Sequence, residues 1–234
     1  IARRECAAMF RTPAGWIVMA LYATLTGLIF ALTTLAPGEP ATLRYFFGPA
    51  AWLLIVVCPA ISMRLFSEER RAGSETLLFA SPASELAIAS GKLAGAAAYL
   101  IAMIAPTVAF PITLAVLAEP TPELGPVLSG YLGLLLAGLA CLSIGALVST
   151  MTDNQTLSFL ATLIVLLLAL VATGLVADRL PPSIGTPLAR LSPAARVGMF
   201  SKGVIDTGAV GYFLAAATAG LLASAASLRA RRLA

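Results

Sequence analysis

The chain has 234 residues, of which 59% are hydrophobic and only 11% are charged. A soluble domain carries about 25% charged residues, so this composition excludes an ordinary soluble protein and predicts an integral membrane protein. The formal net charge of +4 requires no nucleic-acid partner, because basic residues also anchor membrane proteins at anionic lipid.

Six windows without a charged residue divide the chain, and each is 19 to 29 residues long. A helix needs about 20 apolar residues to cross roughly 30 Å of hydrocarbon, and lipid requires backbone groups to be satisfied within the segment. The short alternating segments of a β-barrel are not visible. The sequence therefore predicts an all-α fold with six transmembrane helices, at about 14–36, 46–66, 93–117, 127–149, 156–177 and 208–228.

Six spans place both ends of the chain on one side of the membrane. With the N-terminus in the cytoplasm, the cytoplasmic segments hold ten basic residues and the outer segments hold five. Cytoplasmic loops are the ones enriched in Lys and Arg, so we predict N-in, C-in topology, a cytoplasmic 67–92 loop and a 178–206 outer loop. In that outer loop, Val197, Phe200 and Val204 share one face and predict a short helix.

Two spans carry small residues at every fourth position, a spacing that lets helix backbones approach closely. Packing within the chain, a seam between subunits and a sliding wall are all compatible with it. The residues are Gly133, Ala137, Cys141, Gly145 and Ser149 in the fourth span and Gly211, Ala215, Ala219, Ala223 and Ser227 in the sixth.

Several kinds of chemistry are excluded by residues that the chain lacks. It has no histidine, which removes Ser-His-Asp and Cys-His nucleophiles and histidine-based metal sites. The Gly91–Lys92 pair does not form a nucleotide-binding loop, because Leu86 and Leu93 occupy the positions of the required glycine and Ser or Thr. We therefore expect no catalytic residue, cofactor or metal site in this chain.

One strongly polar stretch, RLFSEERRAGSETLLFASPASELAIASGK, occupies 64–92. Its middle is a short amphipathic piece that ends in Leu77, Leu78 and Phe79, and Ser81 with Pro82 predicts the start of a helix that continues into the third span. Two interpretations are open. The stretch is either a juxtamembrane lipid anchor or a docking element for a partner protein.

The same stretch resembles the cytoplasmic loop of type-2 ABC exporter permeases, especially the gliding-motility-like branch. Three other segments also resemble that family: ARRECAAMFRTPAGW its N-terminal amphipathic surface helix, STMTDNQTLSF its connection between spans four and five, and MFSKGVIDTGAVGYF its outer segment before the last span. Thr76 departs from the tightest form of the loop pattern. The matching loop residues are Arg64, Glu68, Glu69, Gly73, Ser74, Glu75, Leu77, Leu78, Ser81, Pro82, Gly91 and Lys92.

The resemblance implies that 67–92 is a coupling loop whose helix docks on a separate cytoplasmic ATPase. Its acids would make electrostatic contacts and its apolar residues would insert into the partner. The ATPase-coupling residues implied are Glu68, Glu69, Gly73, Glu75, Leu77, Leu78, Phe79 and Pro82.

The resemblance also implies the other parts of the transporter. Two permease chains, the second identical or homologous, would assemble with two ATPases in the bacterial cytoplasmic (inner) membrane, in contact with membrane lipid. ATP and Mg²⁺ would bind to the ATPases. A membrane protein with a large outer domain is a further implied partner.

Two other classes stay open. One is a non-transporting membrane anchor, assembly or mechanotransmission subunit that docks the same ATPase. The other is an integral membrane lipid enzyme, against which the missing histidine argues. The sequence does not identify a substrate, although the uncharged spans favour an amphiphile, a lipid-linked group or a mechanical output.

Overall fold

The computed structural model of the protein describes residues 1–35, 42–71, 73, 83–118 and 121–232, apart from the side chains of Asp178 and Pro182. Every regular element within these ranges is a helix. Six helical stretches among the described residues are long and apolar enough to cross a membrane. The predicted all-α fold with six spans is therefore confirmed.

The helices divide into two halves of the chain. The first half contains α1 (Ala2–Arg11), α2 (Pro13–Thr33), α3 (Arg44–Ser62), the short α4 (Ser67–Arg71), α5 (Glu85–Ile104) and α6 (Ala109–Leu117). The second half contains α7 (Leu124–Met151), α8 (Gln155–Val171), α9 (Pro182–Ala189), α10 (Pro193–Ser201) and α11 (Thr207–Arg232). The spans are α2, α3, α5 continued by α6, α7, α8 continued by a π-turn, and α11.

The third span is longer than a membrane requires. It runs over Glu85–Leu117, about 50 Å at 1.5 Å per residue, whereas the hydrocarbon is roughly 30 Å thick. A 3₁₀ turn at Ala105–Val108 separates α5 from α6, because Pro106 has no N–H for α-helical hydrogen bonding. The helix start predicted at Ser81 and Pro82 lies outside the described residues. The described helix begins at Glu85, and its N-cap Ser84 has extended backbone and an Oγ that accepts from Ala87 N at 3.2 Å.

The fourth span, α7, lies at the centre of the bundle and packs against α3, α5, α8, α10 and α11. Its glycines permit this close packing, because an added Cβ would lie 2.8 Å from Phe200 Cβ at Gly133 and would collide with the Ser62 hydroxyl at Gly145. The small-residue repeat of this span therefore packs within the chain.

The small-residue repeat of the sixth span is largely exposed. On α11, Gly211, Ala215 and Ala219 are exposed, while the face that packs against α7 includes Ala217 and Gly220. The repeat is therefore not the main packing face of α11.

We call the end of the bundle that carries α4 the α4 end, and the end that carries α9 and α10 the α10 end. At the α10 end, Val197 and Phe200 are buried but Val204 is 53% exposed. The predicted apolar face therefore stops short of Val204, because Gly203 adopts a φ of +85° and turns the chain after α10. The helix α9 was not predicted.

Candidate functional site

A buried lysine organises the α4 end. The Lys92 side chain, on α5, is only 2% exposed, and its Nζ lies 2.9 Å from Glu5 Oε1 on α1 and 2.9 Å from Glu69 Oε1 on α4. The same Nζ donates to Leu65 O at 2.6 Å. An ammonium has three N–H donors, so all three have an acceptor here. We call Lys92, Glu5 and Glu69 the Lys92 cluster.

Two glycines on α5 bring α1 within reach of this lysine. At Gly95 an added Cβ would lie 2.7 Å from Glu5 Cβ and 2.9 Å from Ala2 O, and at Gly91 it would lie 2.9 Å from Ile1 Cβ. These separations are below ordinary van der Waals contact, so side chains at either position would push α1 away from α5. The glycines are therefore part of what lets Glu5 reach Lys92.

A second set of contacts fixes α4 to the turn between α7 and α8. Ser149 Oγ, near the end of α7, accepts from Phe66 N at 3.1 Å and from Ser67 N at 3.2 Å. Arg70 forms an ion pair with Asp153 and donates through Nη1 to Thr150 O at 3.1 Å. The start and the end of α4 are therefore both attached to the end of the central span.

A third contact joins the α3–α4 turn to the α1–α2 junction. Arg64 Nε lies 2.9 Å from Glu68 Oε2, and Arg64 Nη1 donates to Thr12 Oγ1 at 3.0 Å. The Glu68 side chain is half-exposed, so this ion pair is worth little energy. Its contribution is to orient Arg64 toward the junction.

The implied ATPase-coupling residues fall into two groups. Glu68, Glu69 and Gly73 are described: both acids have partners in this chain, and Gly73 adopts a φ of +67° and donates through its N–H to Arg70 O at 3.0 Å. That backbone conformation explains the glycine, because other residues rarely adopt it. The remaining residues, Glu75, Leu77, Leu78, Phe79 and Pro82, lie outside the described residues.

Sequence reasoning overlooked the internal role of several residues at this site. The lipid-anchor interpretation of the polar stretch would have its arginines face lipid, yet the Arg70 side chain is only 15% exposed and is paired with Asp153. Lys92 was treated only as part of a pattern. The sequence contained one indication of this role. Lys92 directly precedes a 26-residue uncharged window, so it lies at the membrane edge and requires a partner if it is buried.

Comparison with known proteins assigns the chain to a family. The family model described as ABC-2 family transporter protein matches residues 21–227, a range that includes α4 and Lys92 and begins after α1. No curated protein matches the sequence. Because the family match spans most of the chain, the protein belongs to the ABC-2 family of transporters.

Membership of this family defines the class of protein. It is a multi-pass membrane protein and the permease subunit of an ABC transporter, a transmembrane component that is not itself catalytic. Permeases of this family generally work with a cytoplasmic ABC ATPase.

Proposed function

We propose that a separate cytoplasmic ATPase drives this permease by docking on the 67–82 segment, whose first part is α4. The observation that carries the proposal is the attachment of α4. Through Glu69 it is paired with α5, through Lys92 it reaches α1, and through Arg70 it is paired with the α7–α8 turn. A displacement of this segment would therefore reach several membrane helices together.

The energetics of the Lys92 cluster favour movement as one body. Removing one partner from a buried ion pair costs about 3–5 kcal/mol, because the other charge is left without compensation. Sliding α4 along α5 would separate Glu69 from Lys92 and incur part of that cost, since Lys92 would keep Glu5 and Leu65 O. In this proposal α4, α5 and α1 therefore move together when the ATPase binds or hydrolyses ATP.

In this transporter the partner ATPase hydrolyses the ATP. ATP and Mg²⁺ bind to the ATPase, since the sequence around Gly91 and Lys92 lacks a nucleotide-binding loop. Two ATPases and a second permease, identical or homologous, complete the transporter in a bacterial inner membrane. The α4 end faces the cytoplasm, in keeping with the ten-to-five division of basic residues.

A second candidate is a subunit with a mechanical output, in which nothing crosses the membrane. It is favoured by the six uncharged windows of the sequence, because a charged substrate would need intramembrane ionisable groups. A membrane protein with a large outer domain would then receive the motion at the α10 end. ATP-dependent accumulation of a labelled amphiphile in proteoliposomes that contain permease and ATPase would contradict this candidate.

Docking is tested by co-purification of the ATPase from detergent. A buried interface anchor costs about 2 kcal/mol or more on truncation, which is roughly a thirtyfold loss of affinity. The double variant Leu77→Ala/Leu78→Ala should therefore release the ATPase while the permease is still produced. The matched control is Leu167→Ala/Leu168→Ala, which truncates two exposed leucines of α8. Equal ATPase retention by both variants would contradict docking on this segment.

A further inference from the structure

A groove at the α10 end has no role in the coupling described above. It lies between α3, α7, α8 and α11, is closed on one side by α10, and encloses about 140 Å³. Its lining is almost entirely apolar and includes the small residues Gly48, Ala51, Ala140 and Ala216. An apolar cavity of about 150 Å³ is large enough for benzene, so the groove has room for a short length of hydrocarbon.

The groove is open toward the membrane. Trp52, on α3, is part of its lining and is 53% exposed. At Gly48, one helical turn before Trp52, an added Cβ would meet no atom within 4 Å. Since α3 is one of the six spans, we expect the acyl region of the lipid at this opening.

Arg196, on α10, lies beside the groove. Its guanidinium is 4.3 Å from the centroid of the Tyr212 ring, and Tyr212 is part of the groove lining. Arg196 Nη2 donates to Arg190 O at 2.7 Å, and Tyr212 Oη donates to Leu191 O at 2.9 Å. Both side chains are therefore held in place by the backbone between α9 and α10.

The guanidinium retains unused donors. Arg196 Nε is buried and has no hydrogen-bond partner among the described residues. A guanidinium has five N–H donors, and the Nη2 bond to Arg190 O is the one side-chain hydrogen bond that the described part of the chain provides for it. A donor left without a partner is unfavourable, so an acceptor supplied from outside the chain would stabilise the guanidinium here.

The segment that carries Arg196 has an excess of basic residues. The 178–206 segment contains four basic residues, Arg179, Arg190, Arg196 and Lys202, and two acidic ones, Asp178 and Asp206. Asp206 Oδ2 accepts from Ala209 N at 3.0 Å and thereby caps α11. The positive excess is unusual if this is the outer side, because basic residues concentrate in cytoplasmic loops.

We propose that the groove binds one acyl chain of an anionic phospholipid and that Arg196 hydrogen-bonds to its headgroup phosphate. The apolar lining accommodates the chain, and the planar fork of a guanidinium matches phosphate oxygens. Tyr212 lies five residues after the start of α11, near the headgroup level that tyrosines favour. The site does not rest on ATPase docking, because its lining residues and Arg196 are distinct from the residues of the Lys92 cluster.

Quenching of Trp52 fluorescence by brominated acyl chains measures occupancy of the groove. The sequence has two tryptophans, so Trp16→Phe leaves Trp52 as the reporter. In mixed bilayers, brominated phosphatidylglycerol should quench Trp52 with about tenfold higher relative affinity than brominated phosphatidylcholine, the equivalent of 1.4 kcal/mol. Both lipids carry a phosphate, so the preference reports the net negative charge of the headgroup at Arg196.

Two variants with matched controls test the two parts of the site. Arg196→Ala should reduce the preference for phosphatidylglycerol to near unity, whereas Lys202→Ala, at an exposed lysine of the same segment, should preserve it. Gly48→Leu fills the groove and should reduce quenching by both lipids. Gly211→Leu adds the same side chain to an exposed glycine of α11 and should not reduce it. If Arg196→Ala does not fold, the glycine pair still tests the groove.

Four results would overturn the proposal. Equal quenching by the two lipids would remove the anionic preference, and a preference that survives Arg196→Ala would place it elsewhere. Competition by millimolar inorganic phosphate would indicate an ion site rather than a lipid site. Failure of either lipid to quench Trp52, with normal quenching of Trp16 in Trp52→Phe, would mean that protein, such as a second copy of the chain, covers the groove.

Discussion

Replacing Lys92 with Met removes the ammonium of the Lys92 cluster and keeps an apolar side chain of similar length. The substitution leaves the Glu5 and Glu69 carboxylates, both within 2.9 Å of the missing nitrogen, facing each other with no cation between them. We expect this to be among the most destabilising single changes at the α4 end.

The magnitude follows from burial. Breaking a buried ion pair by removing one partner costs about 3–5 kcal/mol. The Glu5 and Glu69 side chains remain 19% and 28% exposed, so water relieves part of the penalty and the lower figure, about 3 kcal/mol, applies. For a chain of this size, 1 kcal/mol corresponds to roughly 2–4 °C, which gives a fall in Tm of about 6–12 °C. Glu5→Gln should cost less, because Lys92 keeps Glu69 and Leu65 O.

The assay is thermal unfolding of the purified permease in detergent. The matched control is Lys202→Met, the same substitution at the other lysine of the chain, which is exposed. The triple variant Lys92→Met/Glu5→Gln/Glu69→Gln should recover much of the loss, because it leaves no uncompensated buried charge. Equal Tm values for Lys92→Met and Lys202→Met would refute the reasoning. No recovery in the triple variant would show that packing, and not charge, causes the loss.

Three further predictions concern other parts of the molecule. Arg70→Ala should raise proteolytic cleavage at the α7–α8 turn, whereas Arg71→Ala, at an exposed side chain, should leave it unchanged; equal cleavage would show that the Arg70 ion pair does not hold the turn. Gly145→Val should sharply reduce the yield of folded protein, because the added side chain would collide with Ser62, whereas Gly125→Val, with open space around it, should not. Similar yields would contradict the packing of α7. A cysteine at position 75, with the native cysteines removed, should react with an impermeant thiol reagent only after cells are opened, and labelling of intact cells would reverse the topology.

The spans were predictable because lipid imposes one simple requirement, a long run without charge. Helix length was less predictable, since charged residues can continue a helix beyond the hydrocarbon. The hydrocarbon-crossing part of the third span was predicted at 93–117, with a helix leading into it from the polar segment, and the described helix α5 begins at Glu85. Lys92 lies inside this helix, where Glu5 and Glu69 compensate its charge. A charge therefore marks the edge of the hydrocarbon without marking the end of the helix.

The polar segment was also predictable, but the role of each charge within it was not. Glu69 and Arg70 are neighbours in sequence, and their partners come from distant parts of the chain, since Glu69 pairs with Lys92 and Arg70 with Asp153. A local charge pattern contains no information about such partners. The resemblance implied that Glu69 contacts an ATPase, and one of the two open interpretations made the segment a lipid anchor. Neither indicated that Glu69 and Arg70 have partners in this chain.

The small-residue repeat of α11 shows why spacing alone does not identify a packing face. Small residues permit close approach on any face, whereas a hydroxyl in lipid needs a hydrogen-bond partner and so tends to point toward protein. On α11, Ser224 is buried, and Ser227, the last member of the repeat, accepts from Thr150 Oγ1 at 3.0 Å. The glycine and alanines of the same repeat nearer the α10 end, where no serine occurs, are exposed. The two serines therefore mark where α11 packs within the chain, whereas the exposed Thr218 satisfies its hydroxyl within its own helix by donating to Leu214 O at 2.9 Å. The spacing marks only where a close neighbour would fit.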